Sequence, residues 1–217
     1  VLLLPLLCAA ARAAEFTPAL ALPSAVALGA GQGQAAAGAA LATGDPPLLS
    51  GTLRANIGLT SRLALSGGLR APWGGLLLGL RYNVVERPEV RVAPFVFGAA
   101  SESLVTGTSR SGDSLAAGLG VALEGGWPKA RLDASVPLVV TTVNPLVAPL
   151  YAPLALGSYG LTIHLTRRHD VRLALESFAA PSVTVRYARD RWYVQGAAMY
   201  AILHATPLAA LEAGLRF

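Results

Sequence analysis

The sequence predicts an all-β fold: a single up-and-down antiparallel transmembrane β-barrel of about twelve strands, within a range of ten to fourteen. Three observations carry this. The chain of 217 residues is 53% hydrophobic but only 13% charged, about half the ~25% charged fraction usual in soluble domains. Segment after segment alternates apolar with polar residues, and charge recurs on one face of the alternation. Charged tight turns fall at every second connection between those segments.

The membrane reading needs a backbone that satisfies its own polar groups in lipid, which leaves helices or a closed barrel. Two charge-free stretches are long enough to test as helices. Residues 16–44 contain Pro18, Pro23 and "GAGQGQ" and are mostly Ala and Gly. Residues 134–163 contain Pro137, Pro145, Pro149 and Pro153. Prolines at that spacing remove helical hydrogen bonds and clash with the preceding turn. Neither stretch supplies the ~20 strongly apolar residues of a spanning helix. The barrel remains, with its signature of ~10-residue alternating segments separated by turns.

Before the barrel, "VLLLPLLCAAARA" reads as the remainder of a secretory signal, an apolar run followed by small residues, with cleavage after Ala13. Leu6 and Leu7 precede Cys8 where a lipoprotein site wants small residues. Cleavage removes that cysteine, and with it disulfides and thiolate-ligated metals. Residues 1–13 are thus the signal remnant, 14–34 a tail, plug or extra strand, and 35–217 the barrel. Formal charge is +5, or +4 without Arg12. The sixteen arginines and one lysine are scattered, with no basic block or base-stacking motif, which excludes nucleic acid as a partner.

The expected strands are 35–43, 51–60, 62–71, 74–85, 89–101, 114–125, 129–142, 157–166, 170–178, 182–188, 191–203 and 207–217. "TLRANIGLT" sets Leu53, Ala55, Ile57 and Leu59 against Thr52, Arg54, Asn56 and Gly58. "RLALSGGLR" sets Leu63, Leu65 and Leu69 against Arg62, Ser66 and Arg70. "KARLDASVPLVV" sets Leu132, Ala134, Val136, Leu138 and Val140 against Lys129, Arg131, Asp133 and Ser135. The tight turns are "TSR", "ERPE", "GGWPK", "RRHD" and "RD". The alternate connections include the two longest, near 102–113 and 143–156, as expected where short periplasmic turns alternate with longer outer loops. Trp127, Tyr187, Trp192 and Phe217 fall near the short-turn ends, and Trp73, Tyr151, Tyr159 and Phe178 near the opposite ends, as two interfacial girdles require.

With export signal, alternating strands, short inner turns and a terminal strand "PLAALEAGLRF" ending on Phe217, the chain resembles a Gram-negative outer-membrane β-barrel protein of porin-like type. The resemblance covers roughly 35–217. It departs at Leu215, where many members carry an aromatic. It implies an outer-membrane location, with lipid, lipopolysaccharide and the barrel-assembly machinery as partners. It also implies that the assembly machinery reads Phe217 as its signal.

Alternation places ten basic residues on the inner face: Arg54, Arg62, Arg70, Arg81, Arg91, Lys129, Arg131, Arg172, Arg186 and Arg216. Four acids accompany them, Glu124, Asp133, Glu176 and Glu212, with Gly58, Gly68, Gly75, Gly79, Gly118 and Gly120 between. A barrel wider than eight strands is not filled by its own side chains. The expectation is a watery, positively biased passage for small anionic solutes, lined by Arg54, Arg70, Arg81, Arg131, Arg172, Glu124, Asp133 and Glu176, without a cofactor. The competing reading is a closed structural barrel, its arginines paired with carboxylates. A lipid-modifying enzyme would need a base among His164, His169 and His204, but no serine stands at telling spacing. The three histidines show no chelating pattern, so no metal is expected. The apolar segment "NPLVAPLYAPLALG", 144–157, suggests a third class, hydrophobic-ligand handling.

Overall fold

The computed structural model describes residues 28–43, 48–71, 75–87, 89–102, 113–142, 157–176, 180–201 and 206–217. The signal remnant, the apolar segment 144–156, Trp73, Tyr151, Phe178 and His204 lie outside them. No helix among the described residues is long and apolar enough to cross a membrane.

The strands are β1 (Gly33–Ala42), β2 (Leu48–Gly58), β3 (Leu63–Ala71), β4 (Gly75–Tyr82), β5 (Val85–Glu86), β6 (Val90–Glu102), β7 (Asp113–Trp127), β8 (Ala130–Thr142), β9 (Ser158–His164), β10 (His169–Glu176), β11 (Ala180–Arg189), β12 (Trp192–Ala201) and β13 (Thr206–Arg216). β5 is only two residues long. The other twelve pair with their sequence neighbours, β4 pairs directly with β6, and β1 pairs with β13, so the antiparallel sheet closes on itself. Every expected strand is present, with ends shifted by a few residues. Twelve strands spaced ~4.8 Å apart and tilted ~40° close at a backbone radius of roughly 12 Å.

The strands alternate as the sequence implies, and burial fixes which face is concave. Leu49, Leu53, Leu65, Leu69, Leu76, Leu78, Val96, Leu123, Leu132, Leu173, Val185 and Leu211 are all exposed, while their polar neighbours are buried or half-buried. An apolar set more exposed than the charged set means that the charged face is turned inward. Such a surface suits hydrocarbon and not water.

Two irregularities depart from strict alternation. The strand expected to run through residue 85 stops at Tyr82, and the chain re-pairs with β6 as Val85↔Val92 and Glu86↔Arg91, one residue out of step with Arg81↔Phe95. In β8 the register jumps between Leu119↔Val139 and Gly120↔Pro137, leaving Leu138 unmatched. Proline cannot donate to the ladder, and a bulge absorbs it. Leu138 and Val139 are therefore both exposed, where strict alternation expected only Leu138 of the two to face outward.

The turns at one end share a device. In "LTSRL", 59–63, Leu59 N donates to Leu63 O at 2.8 Å, and Leu63 N donates to the Thr60 hydroxyl at 2.9 Å. In "LTRRH", 165–169, Leu165 N donates to His169 O at 2.9 Å, and His169 N donates to the Thr166 hydroxyl at 3.1 Å. A threonine two residues into a four-residue turn supplies the acceptor that the backbone lacks. The aromatic belt at this end comprises exposed Tyr82, Trp127, Trp192 and Phe217, with Tyr187 beside Trp192. Tyr159 and Tyr200 stand toward the other end. Phe217 is joined to β1 by paired backbone bonds with Gly33 (2.7 and 2.9 Å), and its ring covers that glycine.

Candidate functional site: the barrel interior

The interior carries three ion-pair clusters, two of which join strands that are not neighbours in the sheet. In the first, Glu124 on β7 accepts from Arg91 on β6 (3.2 Å to each oxygen) and from Arg131 on β8. Arg81 on β4 lies within electrostatic reach of the same carboxylate and is 5% exposed. In the second, Arg172 on β10 reaches across β9 to Asp133 on β8 (2.7 and 3.2 Å) and along its own strand to Glu176 (2.6 Å). Ser158 accepts a further bond from Arg172 at 3.0 Å. In the third, Arg54 on β2 pairs with Glu212 on β13, passing over β1 at the closing seam. The Tyr193 hydroxyl donates to Glu212 at 3.0 Å and accepts from Gln34 at 2.7 Å. Arg186 covers the Tyr193 ring at 5.0 Å and donates to Gln195 at 3.0 Å, a cation–π contact in a partly dry place.

Of the residues expected to line the interior, Arg54, Arg81, Arg131, Arg172, Glu124, Asp133 and Glu176 sit in these clusters. Arg70 occupies the interior phase of β3 opposite Thr52, and its side chain lies outside the described part. The expected charge balance of ten to four needs correction. Arg62, Lys129 and Arg216 are exposed at the short-turn rim, because the strands end beside them. Asp170, counted as a turn residue from sequence, is on the interior phase of β10, with Oδ1 2.7 Å from His164 Nδ1. The described interior thus sets six arginines, Arg54, Arg81, Arg91, Arg131, Arg172 and Arg186, against five acids. Its positive excess is local, concentrated around Glu124 and at Arg186.

Sequence reading also missed what the glycines do. Gly118 and Gly120 do not widen the interior. Phe97 and Phe95 on the neighbouring strand lie across them, so that an added Cβ would stand 2.6 Å from either ring. The two phenyl rings are tilted by 46° at 6.1 Å and are buried. Gly160 likewise lies beneath the Arg172 guanidinium, and Gly214 beneath the Tyr193 ring. Gly58 is covered by the Leu28–Gly29 backbone and bonded to it through Gly31 and Gln32, so residues 28–32 pack on the end of β2. A glycine-plus-aromatic pairing at cross-strand spacing was the available signal: Phe95↔Gly120 and Phe97↔Gly118 are direct partners. Gly120→Ala is expected to destabilise by about 1–3 kcal/mol, because Phe95 and the fixed Pro137 backbone both crowd the new methyl; denaturant titration of the refolded protein measures it.

Neither described histidine forms a catalytic array. His164 is held by Asp170, and His169 shares a 2.9 Å bond with the Thr166 hydroxyl of its own turn. Among the described residues no group of acids and histidines is placed to hold a metal ion.

No family model and no curated protein matches the sequence. A solved porin structure shares the fold, and two further outer-membrane structures align more weakly. The KdgM porin in complex with disordered oligogalacturonate aligns with a TM-score of 0.61 at 8% identity, over 85% of this chain and 99% of the porin. A loop L8 deletion mutant of OmpT, an outer-membrane protein of Vibrio cholerae, aligns at 0.41 and 10% identity, over 86% of this chain and 98% of its own. The siderophore receptor PirA from Pseudomonas aeruginosa aligns at 0.36 and 12%, over 79% of this chain and 40% of the receptor.

Proposed function

We propose that the chain is a porin-like outer-membrane channel for passive passage of small solutes, with a modest preference for anions. The supporting observation is a charged, partly solvent-accessible interior inside an apolar wall. Arg131 and Asp133 keep about a third of their side-chain surface exposed (33% and 32%), and Arg54 and Arg172 a quarter (25% each). Charged pairs fully removed from water rarely repay their desolvation, so partly hydrated pairs suit a water-filled barrel better than a packed one. The shared fold of a porin supports the same reading. The preference rests on the three guanidinium groups around Glu124 and on Arg186, whose cross-strand neighbour Asp170 is held by His164. Outer-membrane lipid, lipopolysaccharide and the assembly machinery belong to this reading as partners, with Phe217 as the assembly signal.

Conductance of refolded protein in a planar bilayer tests it. The expected result is discrete steps with a reversal potential in a salt gradient that favours anions. Arg131→Glu is expected to move that potential toward cations, since it turns a guanidinium beside Glu124 into a second carboxylate. The opposing reading is a closed structural barrel, favoured by the near-complete burial of Arg81, Phe95 and Tyr193 (5%, 2% and 1% exposed). Absence of conductance from a correctly folded barrel would establish that reading instead.

A further inference from the structure

The short-turn rim is electrically lopsided. On the arc formed by β2 to β6, Arg62 and Arg87 are matched by Glu86 and Glu89. The arc formed by β9 to β13 carries Arg167, Arg168, Arg189, Arg191 and Arg216, all exposed. The solvent-facing acidic side chain on this arc is Asp190, 85% exposed and 3.8 Å from Arg189; Asp170 is turned inward to His164. These arginines are neighbours in space. Ala188 N donates to Arg168 O at 2.8 Å, and Arg216 N donates to Arg191 O at 2.6 Å, so the two turns and the end of β13 abut. Asp190 takes φ 51° in the tight Arg189-Asp190-Arg191 turn.

Directly above this arc, on the outer wall, runs a ladder of rings. His169 meets Tyr187 at 5.1 Å, and Tyr187 meets Trp192 at 5.5 Å. His169 and Tyr187 are cross-strand partners, as are Arg189 and Trp192. All four occupy the outward phase. Amphipathic rings packed together on the outer wall mark the headgroup level of a bilayer. Guanidinium groups just beyond them stand where lipid phosphates lie, and bind them in bidentate fashion.

We propose that this arc is a binding site for anionic phospholipid, with Arg167, Arg168, Arg189 and Arg191 holding the phosphate headgroup and the His169–Tyr187–Trp192 ladder packing on its glycerol and upper acyl region. The proposal rests on the membrane reading above and adds a lipid class, a leaflet (the short-turn side) and a sector of the barrel.

Native mass spectrometry of the protein released from nanodiscs of mixed phosphatidylcholine and phosphatidylglycerol tests it. Wild type is expected to retain phosphatidylglycerol in preference, by on the order of tenfold, given several-fold for each interfacial arginine. R167Q/R168Q/R189Q/R191Q is expected to lose that preference, whereas R62Q/R87Q on the balanced arc is expected to keep it. The preference of wild type is expected to fall as salt rises, a check that needs no variant. Added inorganic phosphate is expected not to displace the lipid; displacement at millimolar phosphate identifies a simple anion site and overturns the proposal. A barrel that inserts and conducts but retains both lipids equally overturns this proposal alone. A protein that never enters the bilayer overturns it together with the membrane reading.

Discussion

Glu212→Leu is expected to lower the unfolding free energy by about 2–3 kcal/mol, the range for stranding a partly buried charge without its partner. Glu212 is the carboxylate shared by Arg54 and the Tyr193 hydroxyl, and its side chain is only 13% exposed. The pair is placed where the sheet closes. On β1 the direct partner of Arg54 is Ala36 and that of Glu212 is Gly38, two small residues between the paired side chains. Arg54 Nε is already buried without a partner; loss of the carboxylate also strips Nη2 of its partner and leaves no counter-charge, while Arg186 remains nearby on the Tyr193 ring. The double variant R54M/E212L is expected to recover most of the loss, because it removes both charges together. Urea unfolding in lipid vesicles of wild type, R54M, E212L and the double variant measures the cycle. An additive double variant would mean that Arg54 and Glu212 do not stabilise the seam as a pair.

Leu211→Arg is expected to cost about 2–4 kcal/mol, while Leu165→Arg costs about 0–1 kcal/mol, the depth dependence of charge on a lipid-facing barrel wall. The two leucines are equally exposed, at 63% and 62%. In water they would behave alike, each within roughly 0.5 kcal/mol of neutral. They differ in depth: Leu211 is at the middle of β13, and Leu165 opens the turn after β9. The comparison therefore reads the solvent outside the wall and owes nothing to burial by protein. Equal small effects would place water there and remove the membrane.

The short-turn side was legible in some detail. The turns near 60, 167 and 190 fall between the expected strands; the first two hold a threonine, Thr60 and Thr166, whose hydroxyl accepts from the turn's own backbone, and the third turns on Asp190 at positive φ. β1, mostly Ala and Gly, carries little alternation of its own; an even strand count, which puts both termini of the barrel on the short-turn side, was what argued for it. Bulges were not legible. Pro137 signalled trouble in β8, but the side on which the extra residue falls depends on the partner strand, and only the pairing with Gly120 decides it. The charge balance was misjudged for a related reason: Asp170 is one residue into β10, and a shift of one residue at a strand end moves a side chain from rim to interior.

By itself the sequence determined the period of two, hence the apolar exterior, the strands and the tight turns at one end. Those properties are local, written in each strand without reference to any other. The tertiary structure decided which interior groups meet: Arg54 with Glu212 across the seam, Arg172 with Asp133 over β9, Phe95 and Phe97 upon Gly120 and Gly118. Alternation says which way a side chain points, but its neighbours are set by register and closure, and those exist only once the whole ring has formed.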